Sequence, residues 1–278
     1  MPPKPRTCVV VCYWTGHKPD DLHRLLGQMM KLDAGSPFDV VVVTNGGDIR
    51  PLTLPPRFAP LRPRLIDREN VGYNLGAWEQ GWRESEGYEY YLFLQDECFL
   101  KRPGWVGDFE FRMDRDPGVG LLGERFMWER MSWGYIREAT DRDLGDSVLS
   151  PDEPGHPVQV VQDLLNRHGL PVTETGEHLL ALVHFTSRKI LEEIGGYPIV
   201  GRSYREAVAC EVGISRLIQS RGYRISLIKD TRFTLIGHRQ WTARHDFQQR
   251  WRSRARGLLN RLGIRRRRKP APATASAG

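Results

Sequence analysis

Tyr90-Tyr91-Leu92-Phe93-Leu94-Gln95-Asp96-Glu97-Cys98 is an apolar run of strand-forming residues that stops at two adjacent carboxylates. A continuous hydrophobic run reads as a strand buried on both faces of a parallel sheet. In open α/β sheets, ligands bind beyond the carboxyl ends of such strands. An Asp and a Glu side by side at that position offer hard oxygen donors, the chemistry of Mg²⁺ or Mn²⁺ carrying a phosphate. The competing reading is that they cap the following turn, and the flanking sequence has to decide.

Working outward, residues 7–13 (TCVVVCY) and 38–44 (FDVVVVT) are β-branched runs bounded by turn residues, and both predict strands. Between them, apolar residues at 22, 25, 26, 29, 30 and 32 mark one helical face, opened by Pro19-Asp20. A short strand is expected at 64–66, then a helix over 72–82 before the opening strand. Strand, helix, strand, helix, strand is the pattern of βαβ units and a parallel sheet, with the strand ends on one edge. Further on, 119–122 reads as a strand, 158–168 as a helix, 178–185 as a strand, 188–194 and 212–220 as helices, and 223–228 as a strand. Residues 124–157, charged and aromatic, read as a loop-rich insert. The expected fold is α/β: one domain over residues 1–240, with a mostly parallel central sheet flanked by helices.

The chain of 278 residues carries a net charge of +7, but unevenly. Of 41 Lys and Arg, 11 fall from Trp241 onward against a single acid there, Asp246, so that stretch carries +10. The body is left with 30 bases against 33 acids, or −3. A mildly acidic body argues against a nucleic-acid groove through the core. In residues 246–264, Phe247, Trp251, Ala255, Leu258, Leu259 and Leu262 recur every three or four positions with arginines between them. This predicts a basic amphipathic helix within a tail over 241–269, suited to an anionic membrane surface; a helix docked on the body with a solvated basic face is the alternative. Residues 270–278 (PAPATASAG) are expected to be disordered. No run reaches the length of a membrane span and none resembles a secretory signal, so the expected location is cytoplasmic, peripheral on the inner membrane face. Four scattered cysteines predict buried, reduced thiols rather than disulfides or a metal cluster.

Three constellations hold chemistry-bearing residues. The first, Asp67-Arg68-Glu69-Asn70-Val71-Gly72-Tyr73-Asn74-Leu75-Gly76, leaves a strand and opens a helix whose unpaired N–H groups favour an anion; Arg68, Asn70 and Asn74 suit a base, ribose or phosphate. The second is the opening strand end, where Gln95, Asp96 and Glu97 share an edge with Tyr13 and Asn45, an aromatic ring and an amide suited to a nucleotide base. The third is Gly195-Gly196-Tyr197, then Glu211 between Cys210 and Val212, then Gly222-Tyr223-Arg224. A carboxylate in apolar surroundings suits a general base, and one just before a helix also serves as a cap.

Together these motifs resemble the inverting GT-A-fold glycosyltransferases, family-2-like and rhamnosyltransferase-like, in motif order over roughly residues 6–240. The acidic strand end Gln95-Asp96-Glu97 with Pro103-Gly104-Trp105 after it matches that family's DxD-type motif. Asn70-Val71-Gly72-Tyr73-Asn74-Leu75-Gly76 matches its Asn-Gly helix start. The resemblance implies that Glu211, eleven residues before Gly222, is the catalytic base. It implies a nucleotide-sugar donor bound by Tyr13, Asn45, Arg68, Asn70, Asn74, Gln95 and Asp96, and a Mg²⁺ or Mn²⁺ ion held by Asp96, Glu97 and His238. The acceptor it implies is a saccharide or a lipid-linked one. The chain departs from the pattern where Gln95 opens the triplet, where Cys210 precedes Glu211, and where Asn45 follows the second strand. The alternatives are a catalytically inactive sugar- or nucleotide-binding relative and a nucleotidyltransferase. The latter normally has a glycine-rich phosphate loop after the first strand, and only Gly16 is present there.

Overall fold

The computed structural model describes residues 5–144 and 155–241. The chain divides into two compact units, Met1–Arg239 and Gln240–Gly278, and every element discussed below lies in the first. The basic amphipathic helix and the terminal segment expected after Trp241 lie outside the described residues. No helix among the described residues is long and apolar enough to cross a membrane.

In chain order the first half comprises β1 (Thr7–Trp14), α1 (Asp20–Met29), β2 (Phe38–Asn45), β3 (Arg64–Arg68), α2 (Tyr73–Arg83), β4 (Tyr90–Gln95), β5 (Cys98–Leu100) and α3 (Gly107–Arg115). The second half comprises β6 (Val119–Gly123), β7 (Phe126–Met127), α4 (Trp133–Leu144), α5 (Pro157–Arg167), β8 (His178–Leu179), β9 (Val183–Ser187), α6 (Arg188–Ile194), α7 (Tyr204–Ser220), β10 (Arg224–Leu227) and β11 (Ile236–His238). Seven strands form one sheet in the order β10-β6-β9-β4-β1-β2-β3. β1 is central and buried at all but its last residue, as its unbroken apolar run requires. The strands β1 to β4 are parallel, and only β9 runs against its neighbours, pairing antiparallel with both β4 and β6. The expected mixed α/β sheet, mostly parallel and flanked by helices, is what the chain forms.

Register decides which side chains meet at the carboxyl edge. Trp14 pairs with Asn45, Asn45 with Arg68, and Cys12 with Gln95. Because β9 is reversed, its first residue, Val183, lies opposite Leu94. The turn before β9 therefore arrives at the edge where β4 ends, and the carboxyl ends of β1 to β4 share that edge as expected. A separate antiparallel pair, β5 with β11, places His238 opposite Cys98, one residue from Glu97.

Under the sheet, Trp78 of α2 is fully buried against Phe93 and His184, and its indole N–H donates to the Leu94 carbonyl at 3.2 Å. All four cysteines are free and buried; burial pushes each thiol up, Cys8 to about 12.

Three expectations need correction. Residues 124–157 are not simply a loop, because Trp133 and Ile136, one turn apart and both buried, anchor α4. The strand expected over 178–185 is broken into β8 and β9 by a turn at Leu180–Leu182 that folds back toward Gln95. The helix expected to begin at Val212 begins at Tyr204, where Ser203 and Glu206 form a reciprocal capping box. Glu211 consequently lies two turns inside α7 and does not cap it.

Candidate active site

The side chains expected to act together fall into two groups at the carboxyl edge. In the first, Asn45 is buried, its amide donating to the Tyr73 carbonyl at 2.7 Å and its oxygen accepting from Arg68 at 2.5 Å. Arg68 also donates to Gln80 at 2.8 Å, and its burial lowers the guanidinium below its ordinary value. A Cβ on Gly76 would lie 3.1 Å from the Arg68 guanidinium, so the absence of a side chain there lets Arg68 lie across α2. Asn45 and Arg68 thus brace the start of α2, where Tyr73 takes a left-handed backbone (φ 52°) uncommon for an aromatic residue. Tyr13 is buried too, its hydroxyl donating to the His17 carbonyl at 2.6 Å. The aromatic ring exposed at this edge is that of Trp14, and Asn70 is exposed beside α2.

The second group contains the carboxylates. Asp96 is buried, its N–H donating to the Cys12 carbonyl at 3.1 Å. Its Oδ2 lies 3.2 Å from the His17 Nε2, an ion-pair distance, but at an angle that gives it no hydrogen-bond partner. The His17 ring stacks on Tyr13 at 5.5 Å, and contact with the Asp96 carboxylate raises the imidazole above its ordinary value. Glu97 is half-buried, with Oε2 3.7 Å from the Nε2 of His238. His238 is buried, which lowers it to about 4 and keeps it neutral. Its Nε2 lies 3.0 Å from the Gln95 amide oxygen.

Gln95 uses its other end differently. Its amide nitrogen donates to the Ala181 carbonyl at 2.7 Å, and Asn74 donates to the same carbonyl at 2.7 Å. The Ala181 N–H in turn donates to Oε1 of Glu211. The two successive peptide groups on either side of the Ala181 Cα, in the turn before β9, therefore join the end of β4, the start of α2 and the middle of α7. Tyr204, seven residues before Glu211 and so on the same helical face, is exposed and meets the exposed ring of Tyr73 edge-to-face at 6.3 Å.

With this geometry in view, the chain compares most informatively with solved structures. It superposes on the mannosyltransferase PcManGT from Pyrobaculum calidifontis, solved in complex with GDP-Man and Mn²⁺, at TM-score 0.54 and 17% identity, covering 97% of this chain and 67% of that one. The fold is GT-A-like. A second match is S. aureus TarS, at TM-score 0.45 and 14% identity over 92% of this chain and 66% of that one. The chain thus spans about two thirds of the length of these structures. No protein-family model and no curated protein matches the sequence.

For a divalent cation, the donor set offers two carboxylates and one oxygen, Asp96 Oδ2, that is buried without a hydrogen-bond partner. Among the described residues no three His, Cys, Asp or Glu side chains converge as a metal cage. His238, expected as a third ligand, thus does not complete a cage with Asp96 and Glu97; what remains are two carboxylates, the donor type that takes Mg²⁺ or Mn²⁺ together with phosphate and water. A cleft lined by Asp39, Arg62, Arg64 and Tyr88 opens at the opposite ends of β2 and β3, away from this chemistry.

The sequence reading missed His17, His178 and the Ala181 peptide. His17 had a usable signal, an imidazole three residues beyond a buried strand end. His178 had none, because its partner lies on α7 and the two share no local spacing.

Two outcomes follow. Gln95→Leu removes both bonds that tie β4 to the turn and to His238, and should cost about 1–3 kcal/mol in urea unfolding; an unchanged midpoint would show the bridge is idle. His17, raised by Asp96, contributes stability that is fully present below the ordinary value near 6.5 and is lost as pH rises through its higher folded-state value. Thermal melts of His17→Gln between about pH 5.5 and 8 should lack that part of the wild-type decline.

Proposed function

We propose that the chain transfers a sugar from a nucleotide-diphosphate sugar to a hydroxyl acceptor, with inversion at the anomeric carbon. The observation that carries this reading is the pairing of a metal-competent carboxylate end, Asp96 and Glu97, with a separate carboxylate, Glu211, Gln95 and Glu211 being braced on the backbone of one residue, Ala181. Two carboxyl groups at the end of one strand and a third held opposite them is an arrangement with two distinct tasks.

Asp96 and Glu97 would hold a divalent cation against the donor diphosphate. Such an ion supplies neutralisation of the charge that builds on the leaving phosphate. The presence of GDP-Man and Mn²⁺ in the mannosyltransferase of like fold supports this assignment. Trp14 and Asn70, exposed at the same edge, would meet the nucleoside, while Asn45 and Arg68 support α2 from behind.

Glu211 would take the proton from the acceptor hydroxyl. The acceptor oxygen then forms its bond to the anomeric carbon as the bond from that carbon to the diphosphate oxygen breaks, with the electron pair leaving on the diphosphate. A single base opposite the leaving group gives inversion. The Ala181 N–H holds one carboxylate oxygen, which orients the side chain without using all its lone pairs. An acceptor sugar would approach across Tyr73 and Tyr204, whose exposed rings offer apolar faces beside Glu211.

Calorimetric titration with a panel of GDP- and UDP-sugars should show binding that requires Mn²⁺, and Glu211→Gln should retain it while losing transfer by roughly 10²- to 10⁴-fold. Binding without transfer by the wild type across a full acceptor panel would favour the inactive sugar-binding alternative. Absence of binding would sink both. Tyr204→Ala should raise the acceptor KM by about tenfold, equivalent to ~1.4 kcal/mol, and leave the donor KM unchanged; an unchanged acceptor KM would place the acceptor elsewhere.

A further inference from the structure

The side of Glu211 away from Ala181 holds a second, unassigned arrangement. His178 is 1% exposed, and its Nε2 lies 3.6 Å from Glu211 Oε2. That nitrogen makes no hydrogen bond. The other ring nitrogen, Nδ1, lies 2.8 Å from the Gly176 carbonyl. A carbonyl only accepts, so Nδ1 must carry a proton. In the tautomer that carries its only proton on Nδ1, the Nε2 lone pair faces a carboxylate oxygen. Two lone pairs facing each other repel, which accounts for a separation just beyond hydrogen-bond reach. Trp128, edge-on to the ring at 5.2 Å, holds the imidazole in this orientation.

We propose that His178 is a positioning residue for Glu211, a buried imidazole whose free Nε2 receives, or shares, the proton that Glu211 takes from the acceptor. This deepens the transferase reading and rests on it for its catalytic meaning. The balance is closed: the acceptor O–H bond breaks, its proton passes to the Glu211 carboxylate, and Oε2–H then donates to Nε2 or transfers to it. The first outcome is a neutral hydrogen-bonded pair, the second an imidazolium facing a carboxylate. Either replaces lone-pair repulsion with attraction, so the pair is more stable after the proton arrives than before. His178 is therefore placed to share or accept the proton that Glu211 removes.

The groups around the pair come from every packed element. Tyr204 and Cys210 on α7 feel the charge of Glu211. His184 on β9 faces both members, and burial holds it down to about 4, so it stays neutral where they exchange a proton. Arg216, further along α7, donates to the Thr175 carbonyl and feels Glu177.

The tautomer can be read without any turnover. In the full chain labelled with ¹⁵N-histidine, the resonance assigned to His178 by its loss in His178→Gln should show the Nδ1–H tautomer. Its Nε2 titration should move by more than about one pH unit in Glu211→Gln. The Nε2–H tautomer, or an Nε2 titration indifferent to Glu211→Gln, overturns the proposal. In turnover, His178→Gln with wild-type melting and donor affinity should lower kcat by roughly 10- to 100-fold and displace the acidic limb of its pH profile. A wild-type kcat and profile would overturn the role. If His178→Gln fails to fold, the resonance assigned instead by its loss in His178→Asn, with its tautomer and its response to Glu211→Gln, decides alone. If the wild type binds no nucleotide sugar, the transferase reading falls while the shared-proton geometry is still judged by the resonance.

Discussion

The backbone of Ala181 is the constraint on which the rest of the site depends. Its carbonyl takes donors from Asn74 and Gln95, and its N–H, in the preceding peptide group, holds Glu211. Buried backbone N–H and C=O groups must be satisfied, and those of Ala181 are satisfied by three side chains from three different elements. None of those side chains is free to swing independently of the other two. The separation between the acidic end of β4 and the carboxylate on α7 is therefore set by backbone, the least adaptable part of the molecule. Reaching a geometry of this kind from a long side chain alone would cost rotamer entropy in each partner.

The same network explains Gln95. A carboxylate there would put a negative charge against the Ala181 carbonyl oxygen and would have no proton to offer it. An amide offers a donor to that carbonyl and an acceptor to His238 at once. The position that opens an acidic triplet in the family this sequence resembles is here part of the scaffold, leaving Asp96 and Glu97 to supply the charge. His238 is drawn into the scaffold as well, neutral and buried beside Gln95.

The core of the fold was legible because its signals are local. The β-branched runs at β1 and β2 and the apolar run at β4 can be read residue by residue, and burial on both faces follows from their composition. What was not legible depends on pairing between distant segments. Nothing within residues 178–185 announces that this stretch breaks and reverses; that is imposed by the two neighbours β9 must pair with. The start of α7 was missed because the apolar pattern after Val212 is stronger than that before it, while Ser203 and Glu206, three apart, were the available capping signal. In the candidate site, Asp96, Glu97 and Glu211 were named from their positions at element ends or beside a motif. Asn45, Arg68 and Tyr13 were named for ligand contacts, but the structure shows their polar groups turned inward. Side-chain direction at a strand end is settled by the neighbouring chain, and sequence does not display it.

The reversal of β9 has a consequence for how this enzyme-like surface can change over generations. The contacts made at Ala181 are made by its main chain, so they are blind to what side chain the position carries. Residues in the turn are free to be exchanged for others of similar bulk while the distances among Gln95, Asn74 and Glu211 persist. Length is another matter. One residue gained or lost between β8 and β9 would shift a different peptide into that place and turn its carbonyl and N–H in other directions, releasing Gln95, Asn74 and Glu211 together. The segment is tolerant in letter and rigid in count.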